Sequence, residues 1–293
     1  MVDFVQNILD GIAVGSAYSL LALGFTLIFG AMGRLNIAYG PSIMIGVFAG
    51  AGLSQDFTGS LILVFGATLF GTLMATLYVE RLSFAAVKTD AALASMVSTF
   101  AIWMQFDEIV AHLFPLRTYA FHGLDVATVT DIGPFLIRPS VVLNLVIVFA
   151  VVAGLRFLLY KSYFGLALRA VTDNRQSAIV SGVNVVRIIF MAFILAGTIG
   201  AIAGFVIAMG DGQVTQKFGL WATLKGLIAM IIGGLGSLRG AVVGGLVLGI
   251  IEAQVQWYLG ASLREVIVYA LLFLSLVILP NGLFGAKHHV HRV

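Results

Sequence analysis

Long apolar segments recur along the whole chain, and only short polar stretches separate them. The segments lie near positions 8–31, 36–53, 60–79, 91–113, 140–160, 188–209, 220–236, 241–259 and 265–280. A helix needs about 20 apolar residues to cross the hydrocarbon core of a bilayer. These segments also lack the alternation of apolar and polar positions that marks a membrane β-strand. The pattern predicts an all-α polytopic membrane protein with eight or nine membrane-embedded helices.

Two of the segments, 36–53 and 220–236, are shorter than most of the others and rich in glycine. Short glycine-rich segments occur as tilted spans and also as broken or re-entrant helices that line a cavity. The sequence leaves both alternatives open for these two segments.

The composition is that of a membrane protein without a soluble domain. Hydrophobic residues make up 60% of the 293 positions and charged residues 10%, whereas about 25% of residues are charged in soluble domains. Mean hydropathy is +1.08. The polar stretches are too short to bury a core of their own, so we expect a single transmembrane domain over residues 1–293. The net charge of +3 is small and does not suggest nucleic-acid binding.

The distribution of lysine and arginine between the connections predicts the orientation. If every segment spans and the polar stretch near 161–187 is cytoplasmic, the cytoplasmic side carries eleven basic residues: Arg34, Arg81, Lys88, Arg156, Lys161, Arg169, Arg175, Arg187, Arg239, Lys287 and Arg292. The outer side carries four, which are Arg117, Arg138, Lys217 and Arg264. Cytoplasmic loops are enriched in lysine and arginine, so the N-terminus is expected outside and the C-terminus in the cytoplasm.

Glycine pairs spaced by four residues occur in several segments. They are Gly11 and Gly15, Gly46 and Gly50, Gly200 and Gly204, Gly240 and Gly244, and Gly245 and Gly249. Such pairs let two helix backbones approach closely in a membrane. We therefore expect these glycines at helix-packing contacts, with a role in helix sliding as the alternative.

The sequence lacks the common motifs of enzymes and of ATP-driven motors. No glycine pattern of a phosphate-binding loop precedes Lys88-Thr89 or Lys161-Ser162, and the five histidines form no His-Glu-x-x-His motif. We therefore expect no catalytic residue, no metal site and no cofactor bound by this chain.

Few acidic residues lie inside the apolar segments. Glu252 occupies the middle of segment 241–259, whereas Asp107 and Glu108 lie nearer the end of theirs. An acid within a span is a candidate for lining a pathway, but it can equally hydrogen-bond a neighbouring helix. Both alternatives are kept for Glu252.

The stretch "LRAVTDNRQSAIVSGVNVVRI", residues 168–188, is the most polar part of the middle of the chain. Asp173 with Gln176 resembles a helix-starting capping box, and Gly182 suits a left-handed helix end. The pattern predicts a two-turn helix over residues 174–181. A helix this short is marginal alone, so it docks either on its own membrane domain or on a soluble partner.

The longer run "GLALRAVTDNRQSAIVSGVNVVRI" resembles the cytoplasmic coupling loop of LivH-type permeases from branched-chain amino acid ABC importers. The matching positions are Gly165, Ala167, Arg169, Ala170, Asp173 or Asn174, Ala178, Gly182, Val183 and Asn184. "DGIAVGSAYSLLALGFTLIFG" is similar to the first helix of that family, "LNIAYGPSIMIG" to its "INFAHGE" element, and "IGGLGSLRGAVVGGLVLGIIEA" with "LPNGLFG" to its C-terminal part. The resemblance covers nearly the whole chain.

The resemblance implies the permease subunit of an ABC importer in the bacterial inner membrane. The implied partners are two ABC ATPase subunits that bind ATP and Mg²⁺, a second permease of the LivM type, and a periplasmic solute-binding protein. The coupling loop, about 161–187, would meet the ATPases through Arg169, Ala170, Asp173, Asn174, Ala178, Gly182 and Asn184. The translocation pathway would include Asn36, Tyr39, Gly40 and Glu252, and solute would cross by alternating access.

One element departs from the family pattern and leaves the substrate open. In "LNIAYGPSIMIG" the usual Phe, His and Glu are replaced by Ile37, Tyr39 and Pro41, while Asn36 and Gly40 are kept. Branched-chain amino acids are the default solute, and urea, short amides or aromatic acids are the alternatives within the family. Outside it, the alternatives are a stand-alone channel or ion-coupled carrier, and a membrane scaffold.

Overall fold

Helices joined by short connections make up most of the chain. The computed structural model describes residues 2–56, 60–86, 92–116, 118–121, 130–132, 135–137, 139–279 and 282–285. Within these residues the helices are α1 (Val2–Met32), α2 (Tyr39–Asp56), α3 (Leu61–Val79) with a π-helical extension (Glu80–Ala85), α4 (Ala92–Leu113), α5 (Pro139–Lys161), α6 (Tyr163–Asp173), α7 (Arg175–Val180), α8 (Val185–Asp211), α9 (Phe218–Gly233), α10 (Leu238–Leu259) and α11 (Ala261–Ile278).

The nine long helices coincide with the nine apolar segments, which confirms a helical polytopic membrane protein. Six helical stretches of the described chain are long and apolar enough to cross a membrane: Asp3–Met32, Leu61–Ala85, Asn144–Lys161, Val185–Asp211, Leu238–Leu259 and Ala261–Ile278. Shorter apolar helices, Tyr39–Ser54 and Phe218–Gly233, correspond to the two glycine-rich segments. The count of eight or nine membrane-embedded helices therefore stays a prediction.

The helix α1 is the centre of the bundle and packs against α10, α8 and α9. In its most apolar stretch 78% of the residues are buried, whereas in the corresponding stretches of α5 and α11 only 17% and 6% of the residues are buried. Apolar faces that the chain itself leaves uncovered suit lipid or a second membrane subunit. The perimeter of the bundle thus includes α5 and α11.

The close contact of α1 with α10 depends on glycine. A Cβ atom on Gly11 would lie 2.7 Å from the Cα of Ile250, and one on Gly15 would lie 2.8 Å from the carbonyl oxygen of Gly245. Gly249 lies against the backbone of α1 in the same way, while Gly240 and Gly244 face the end of α9. The structure places six of the ten predicted packing glycines at these two helix contacts: Gly11, Gly15, Gly240, Gly244, Gly245 and Gly249.

Four strands of three residues each were not predicted. They are β1 (Thr118–Ala120), β2 (Thr130–Ile132), β3 (Phe135–Ile137) and β4 (Gln213–Thr215). The strands form antiparallel pairs, β1 with β4 and β2 with β3. Strands this short carry too few residues for a period of two to be recognised.

The helix α8 runs from one end of the bundle to the other and serves to define the two ends. It begins beside α7 and ends just before β4, after 27 residues, which is about 40 Å at 1.5 Å per residue. The end that carries α6 and α7 is named the coupling end, and the end that carries β1 and β4 is named the opposite end.

Candidate functional site

The predicted coupling segment contains two helices instead of one. Ser162 caps α6, and its Oγ accepts a hydrogen bond of 3.1 Å from the Gly165 amide. The backbone of Asn174 is extended, at φ −152° and ψ 107°, and separates α6 from α7. The missed signal is the three-residue spacing of Gly165, Leu168 and Val171, which are the buried residues of α6.

The residue that caps α7 is Asn174, so the prediction of Asp173 as the cap is wrong. Asp173 is the last residue of α6, and the Oδ1 of Asn174 accepts a hydrogen bond of 2.9 Å from the Ser177 amide. Asp173 remains helical because α6 continues through it, so the extended backbone that a cap requires falls one residue later.

The end of α7 matches the prediction for Gly182, whose φ is +81°. The Gly182 amide donates to the carbonyl of Ile179, and the Val183 amide donates to that of Ala178, both at 3.0 Å. These are the two bonds of a Schellman motif. Asn184 then caps α8 by accepting a hydrogen bond of 3.1 Å from the Arg187 amide, so hydrogen-bonded caps join α7 to α8.

Most of the predicted coupling residues are exposed at the coupling end. Arg169, Ala170, Asp173, Asn174, Gly182 and Asn184 are exposed, and Ala178 is buried. The guanidinium of Arg169 lies 4.9 Å from the ring centroid of Tyr160, a cation–π contact. A cavity of about 670 Å³ lies beside this segment, between α1, α5, α6 and the connection before α10.

The same segment exposes apolar side chains that the sequence analysis did not single out. Tyr163 is 92% exposed and Val180 is 90% exposed, and Leu166 and Ile179 are also exposed. Apolar side chains grouped on the polar end of a membrane protein indicate a contact with another protein. We name Tyr163, Leu166, Ile179 and Val180 the coupling surface.

The predicted pathway residues Asn36, Tyr39 and Gly40 lie in tight packing. The Tyr39 hydroxyl donates a hydrogen bond of 2.8 Å to the Ala196 carbonyl of α8, and the Asn36 Oδ1 accepts one of 3.1 Å from the Ala38 amide. A Cβ on Gly40 would collide with Thr223 of α9. None of the three lines the cavity beside the coupling segment or a second cavity at the opposite end. Their role in a pathway stays a prediction.

Glu252 belongs to a buried network of four charged side chains on α9, α10 and α11. Lys225 Nζ lies 3.0 Å from Glu252 Oε1 and 3.2 Å from each Glu265 carboxylate oxygen. Arg264 lies 3.2 Å from both acids, with Nε near Glu252 and Nη2 near Glu265. The Lys225 side chain is 1% exposed and that of Glu252 is 4% exposed. The sequence gives no sign of this network, because the three partners of Glu252 lie on two other helices.

Glu252 also lines a second cavity, of about 510 Å³, between α1 and α10 at the opposite end. Asn7, Tyr18 and Glu252 are buried at its floor, and Asp10 and Trp257 are exposed at its rim. Glu252 therefore bonds neighbouring helices, which was one of the two alternatives, and it also faces a cavity; its role in lining a pathway stays a prediction. We name this space the α1–α10 cavity.

A metal site is not evident in the described part of the chain, where no group of three or more His, Cys, Asp or Glu side chains could hold an ion. The two cavities and the coupling segment remain as the candidate functional elements.

The comparison with protein families identifies the chain. A match to the family described as branched-chain amino acid transport system / permease component covers residues 7–276. The chain belongs to this family. It is similar to the high-affinity branched-chain amino acid transport system permease protein LivH of Salmonella typhimurium, with 28% identity over 96% of both chains. It is also similar to the corresponding protein BraD of Pseudomonas aeruginosa, with 27% identity over 96% of both chains.

The fold of this permease family member is also found among solved structures. PsaBC from Streptococcus pneumoniae in complex with Fab aligns with a TM-score of 0.54, covering 95% of this chain and 92% of that one at 12% identity. At this identity the likeness concerns the fold alone.

Proposed function

We propose that this chain is the permease subunit of an ABC importer for a small amino acid, with a branched-chain amino acid as the default. The family match over residues 7–276 carries this proposal. The chain also matches permeases named for branched-chain amino acid transport over 96% of their length. Urea, short amides and aromatic acids remain alternatives, because Ile37, Tyr39 and Pro41 depart from the usual family element.

The coupling surface is the contact for two ABC ATPase subunits, which hold the ATP and Mg²⁺. Exposed apolar side chains such as Tyr163 and Val180 support this contact. Buried Leu168, Val171 and Ala178 hold α6 and α7 on the bundle, so a partner would meet a segment that is already folded.

The motion of the ATPases reaches the membrane helices through α8. The Schellman motif at Gly182 and the cap at Asn184 leave little freedom between α7 and α8. A displacement of α7 therefore shifts α8, which packs against α1, α2 and α3. The transport cycle is alternating access, with the ATPases favouring one of two helix arrangements.

The remaining partners occupy other faces of the bundle. We propose a second permease of the LivM type against the perimeter and a periplasmic solute-binding protein at the opposite end. Eight or nine helices of this chain are embedded in the inner membrane. The excess of basic residues on the coupling side supports a cytoplasmic position for α6 and α7. The N-terminus is then outside and the C-terminus cytoplasmic.

Uptake in cells tests the proposed function directly. The chain is expressed with its neighbouring ATPase, second permease and binding-protein genes in a strain that lacks its own branched-chain uptake. We expect energy-dependent uptake of labelled leucine, isoleucine or valine. Uptake of urea or amides alone would reassign the substrate, and uptake without any ATPase would contradict the importer.

A charge placed on the coupling surface tests the ATPase contact. Val180→Asp puts a carboxylate on a side chain that is 90% exposed, so the chain should still insert while the ATPases no longer co-purify and uptake is lost. Leu116→Asp is the matched control, because Leu116 is an exposed apolar residue at the opposite end. Unchanged co-purification of Val180→Asp would refute the contact.

A further inference from the structure

The α1–α10 cavity is bordered by a polar stripe on an otherwise apolar helix. Asp3, Asn7, Asp10, Val14 and Tyr18 all line it. Their spacing of three or four residues places them on one face of α1. Polar side chains in a membrane helix usually face a cavity or the bundle interior, and here they face a cavity.

The register of α1 against α10 brings Asn7 close to the level of Glu252. Gly11 lies against Ile250, and Gly15 lies against Leu246, so the two helices run antiparallel. One turn further towards the opposite end, Asn7 stands level with Gln254, two residues beyond Glu252. The amide and the carboxylate thus reach the same cavity from two facing helices.

Three buried polar atoms of residues that line this cavity have no hydrogen-bond partner in the described part of the chain. They are the donors Asn7 Nδ2 and Arg264 Nε and the acceptor Glu252 Oε2. Of these, Arg264 Nε lies 3.2 Å from Glu252 Oε1 in an ion pair, which leaves Asn7 Nδ2 and Glu252 Oε2. Asn7 is 8% exposed and Glu252 is 3% exposed. Buried polar groups without hydrogen bonds are rare and unfavourable, so an unpaired donor and an unpaired acceptor in one cavity indicate a ligand that carries both.

The network behind the floor holds the Glu252 carboxylate in position. Lys225 and Arg264 both approach Oε1, and the Tyr18 hydroxyl also hydrogen-bonds this carboxylate, while Oε2 itself has no partner within hydrogen-bond distance in the described part of the chain. Arg264 is itself engaged, since its Nη1 donates to Gln256 Oε1 at 3.1 Å and its Nη2 donates to Glu265. A carboxylate fixed in this way is pre-organised to accept a hydrogen bond from a cationic donor.

The charges around the cavity favour an ammonium group. Three acids, Asp3, Asp10 and Glu252, line it together with one base, Arg264. A cleft lined by an excess of one charge attracts ligands of the opposite charge. Val14, Ala253 and Trp257 supply apolar surface in the same cavity, which suits an aliphatic side chain.

We propose that the α1–α10 cavity binds a zwitterionic aliphatic amino acid, with Glu252 Oε2 accepting from its ammonium group and Asn7 Nδ2 donating to its carboxylate. This assignment rests on the proposed function and adds to it a solute site within this one chain. The cavity volume of about 510 Å³ falls in the range of small-molecule sites, about 300–1,000 Å³.

Binding to the purified full chain in nanodiscs tests the site without the partner proteins. The probes are L-leucine, leucinamide, which lacks the carboxylate, and 4-methylpentanoate, which lacks the ammonium group. A ligand that binds the folded chain raises its melting temperature. We expect leucine to stabilise the chain most, leucinamide less, and 4-methylpentanoate not at all. Equal effects of the three probes, or no effect of leucine, would overturn the proposal.

Two substitutions with a matched control locate the binding. Asn7→Leu and Glu252→Gln each remove one proposed contact to a charged group, so the half-saturating leucine concentration should rise at least about tenfold. Asn144→Leu is the control, because Asn144 is a half-buried amide on α5 away from the cavity. If Glu252→Gln fails to fold, the test rests on Asn7→Leu alone. A wild-type affinity of the Asn7→Leu variant for leucine would overturn the proposal.

The uptake experiment separates failure of the site from failure of the function. Leucine uptake by the importer without leucine binding to this chain would overturn the site and leave the proposed function standing. No amino-acid uptake by the complete importer would instead contradict the proposed function. Binding of neutral 4-methylpentanamide as strongly as leucine would show an amide site and overturn the ammonium assignment.

Discussion

Removal of Lys225 leaves the buried carboxylate of Glu252 with two partially exposed charges, the carboxylate of Glu265 and the guanidinium of Arg264. Lys225 Nζ lies within 3.2 Å of three carboxylate oxygens of Glu252 and Glu265. The remaining base, Arg264, has a side chain that is 32% exposed. The substitution Lys225→Met keeps the apolar stem of the side chain and deletes the charge, so it isolates the electrostatic contribution.

The expected destabilisation is large because the Glu252 carboxylate, which is left without Lys225, stays buried. Breaking a buried ion pair by removing one partner costs about 3–5 kcal/mol. Lys225 is 1% exposed and Glu252 is 3% exposed, so solvent screens this pair little. Glu252→Gln alone should be similarly unfavourable, because it leaves Lys225 buried with fewer acceptors. The double variant removes both charges and should lose clearly less than the sum of the two single losses.

A double-mutant cycle in mixed micelles measures this coupling. The fluorescence of Trp221 is a suitable signal, because its ring lies 5.5 Å from that of Tyr18 and the residue precedes Lys225 by one helical turn. Unfolding is followed during titration with a denaturing detergent for the wild type, Lys225→Met, Glu252→Gln and the double variant. Residues in one buried network show interaction energies of about 0.5–3 kcal/mol.

Additive losses would refute this account of the network. If the double variant loses the sum of the single losses within about 0.5 kcal/mol, Lys225 and Glu252 act independently. The control cycle uses Tyr78→Phe and Gln105→Leu, which remove an exposed hydrogen bond of 3.3 Å. We expect little coupling in that pair, because neither side chain carries a charge.

Three further predictions concern backbone packing and helix ends. Gly182→Val should abolish uptake without preventing insertion, because left-handed φ costs about 1–2 kcal/mol for a side-chain-bearing residue; wild-type uptake would contradict the rigid link to α8. Gly249→Leu should lower the melting temperature strongly, because the new side chain collides with the α1 backbone. Gly66→Leu is the control, since its side chain faces open space and should leave the melting temperature unchanged. Similar melting temperatures of the two variants would argue against the packing role of Gly249. Asn174→Ala should speed amide exchange in α7 because it loses a cap of about 1 kcal/mol, and a larger effect of Asp173→Ala would reverse the cap assignment.

The positions of the long helices could be predicted because continuous apolar runs have one stable form in a bilayer. All nine runs appear as helices, including the short α2 and α9. The short strands β1 and β4 could not be foreseen, since their pairing joins residues near 119 and 214 through a contact that no local pattern records. The start of α7 was predicted one residue too early because Asp173 and Asn174 are both good caps, and only the extent of α6 decides between them.

The candidate site was less predictable than the fold, because it depends on which helices meet. Glu252 was recognised from its place in an apolar segment, but its four-charge network requires α9, α10 and α11 to converge. Lys225 lies within the apolar segment 220–236, and a buried lysine requires a nearby acid, but the sequence does not show which acid it meets. Asn7 gave no signal of its own, since a single amide side chain near the end of a helix is common.

The two cavities stand at opposite ends of α1, and the middle of that helix separates them. Val14 and Tyr18 line one cavity, whereas Thr26 and Gly30 line the other. No residue of the described chain lines both cavities, so the two spaces are separate in this arrangement of the helices. The glycine contacts lock α1 to α10 along much of its length, which makes that side an unfavourable place to open.

The opposite side of α1 is better suited to move. Phe25 packs on Tyr39 of α2, with ring centroids 4.8 Å apart, and a Cβ on Gly226 of α9 would lie 2.8 Å from the Phe25 ring. Tyr39 in turn donates a hydrogen bond of 2.8 Å to the Ala196 carbonyl of α8, the helix that hydrogen-bonded caps join to α7. A shift of α8 is thus transmitted to Phe25 through the side chain of Tyr39. On this geometry, Tyr39 of α2 is the side chain that links α8 to the middle of α1, the part of that helix that lies between the two cavities.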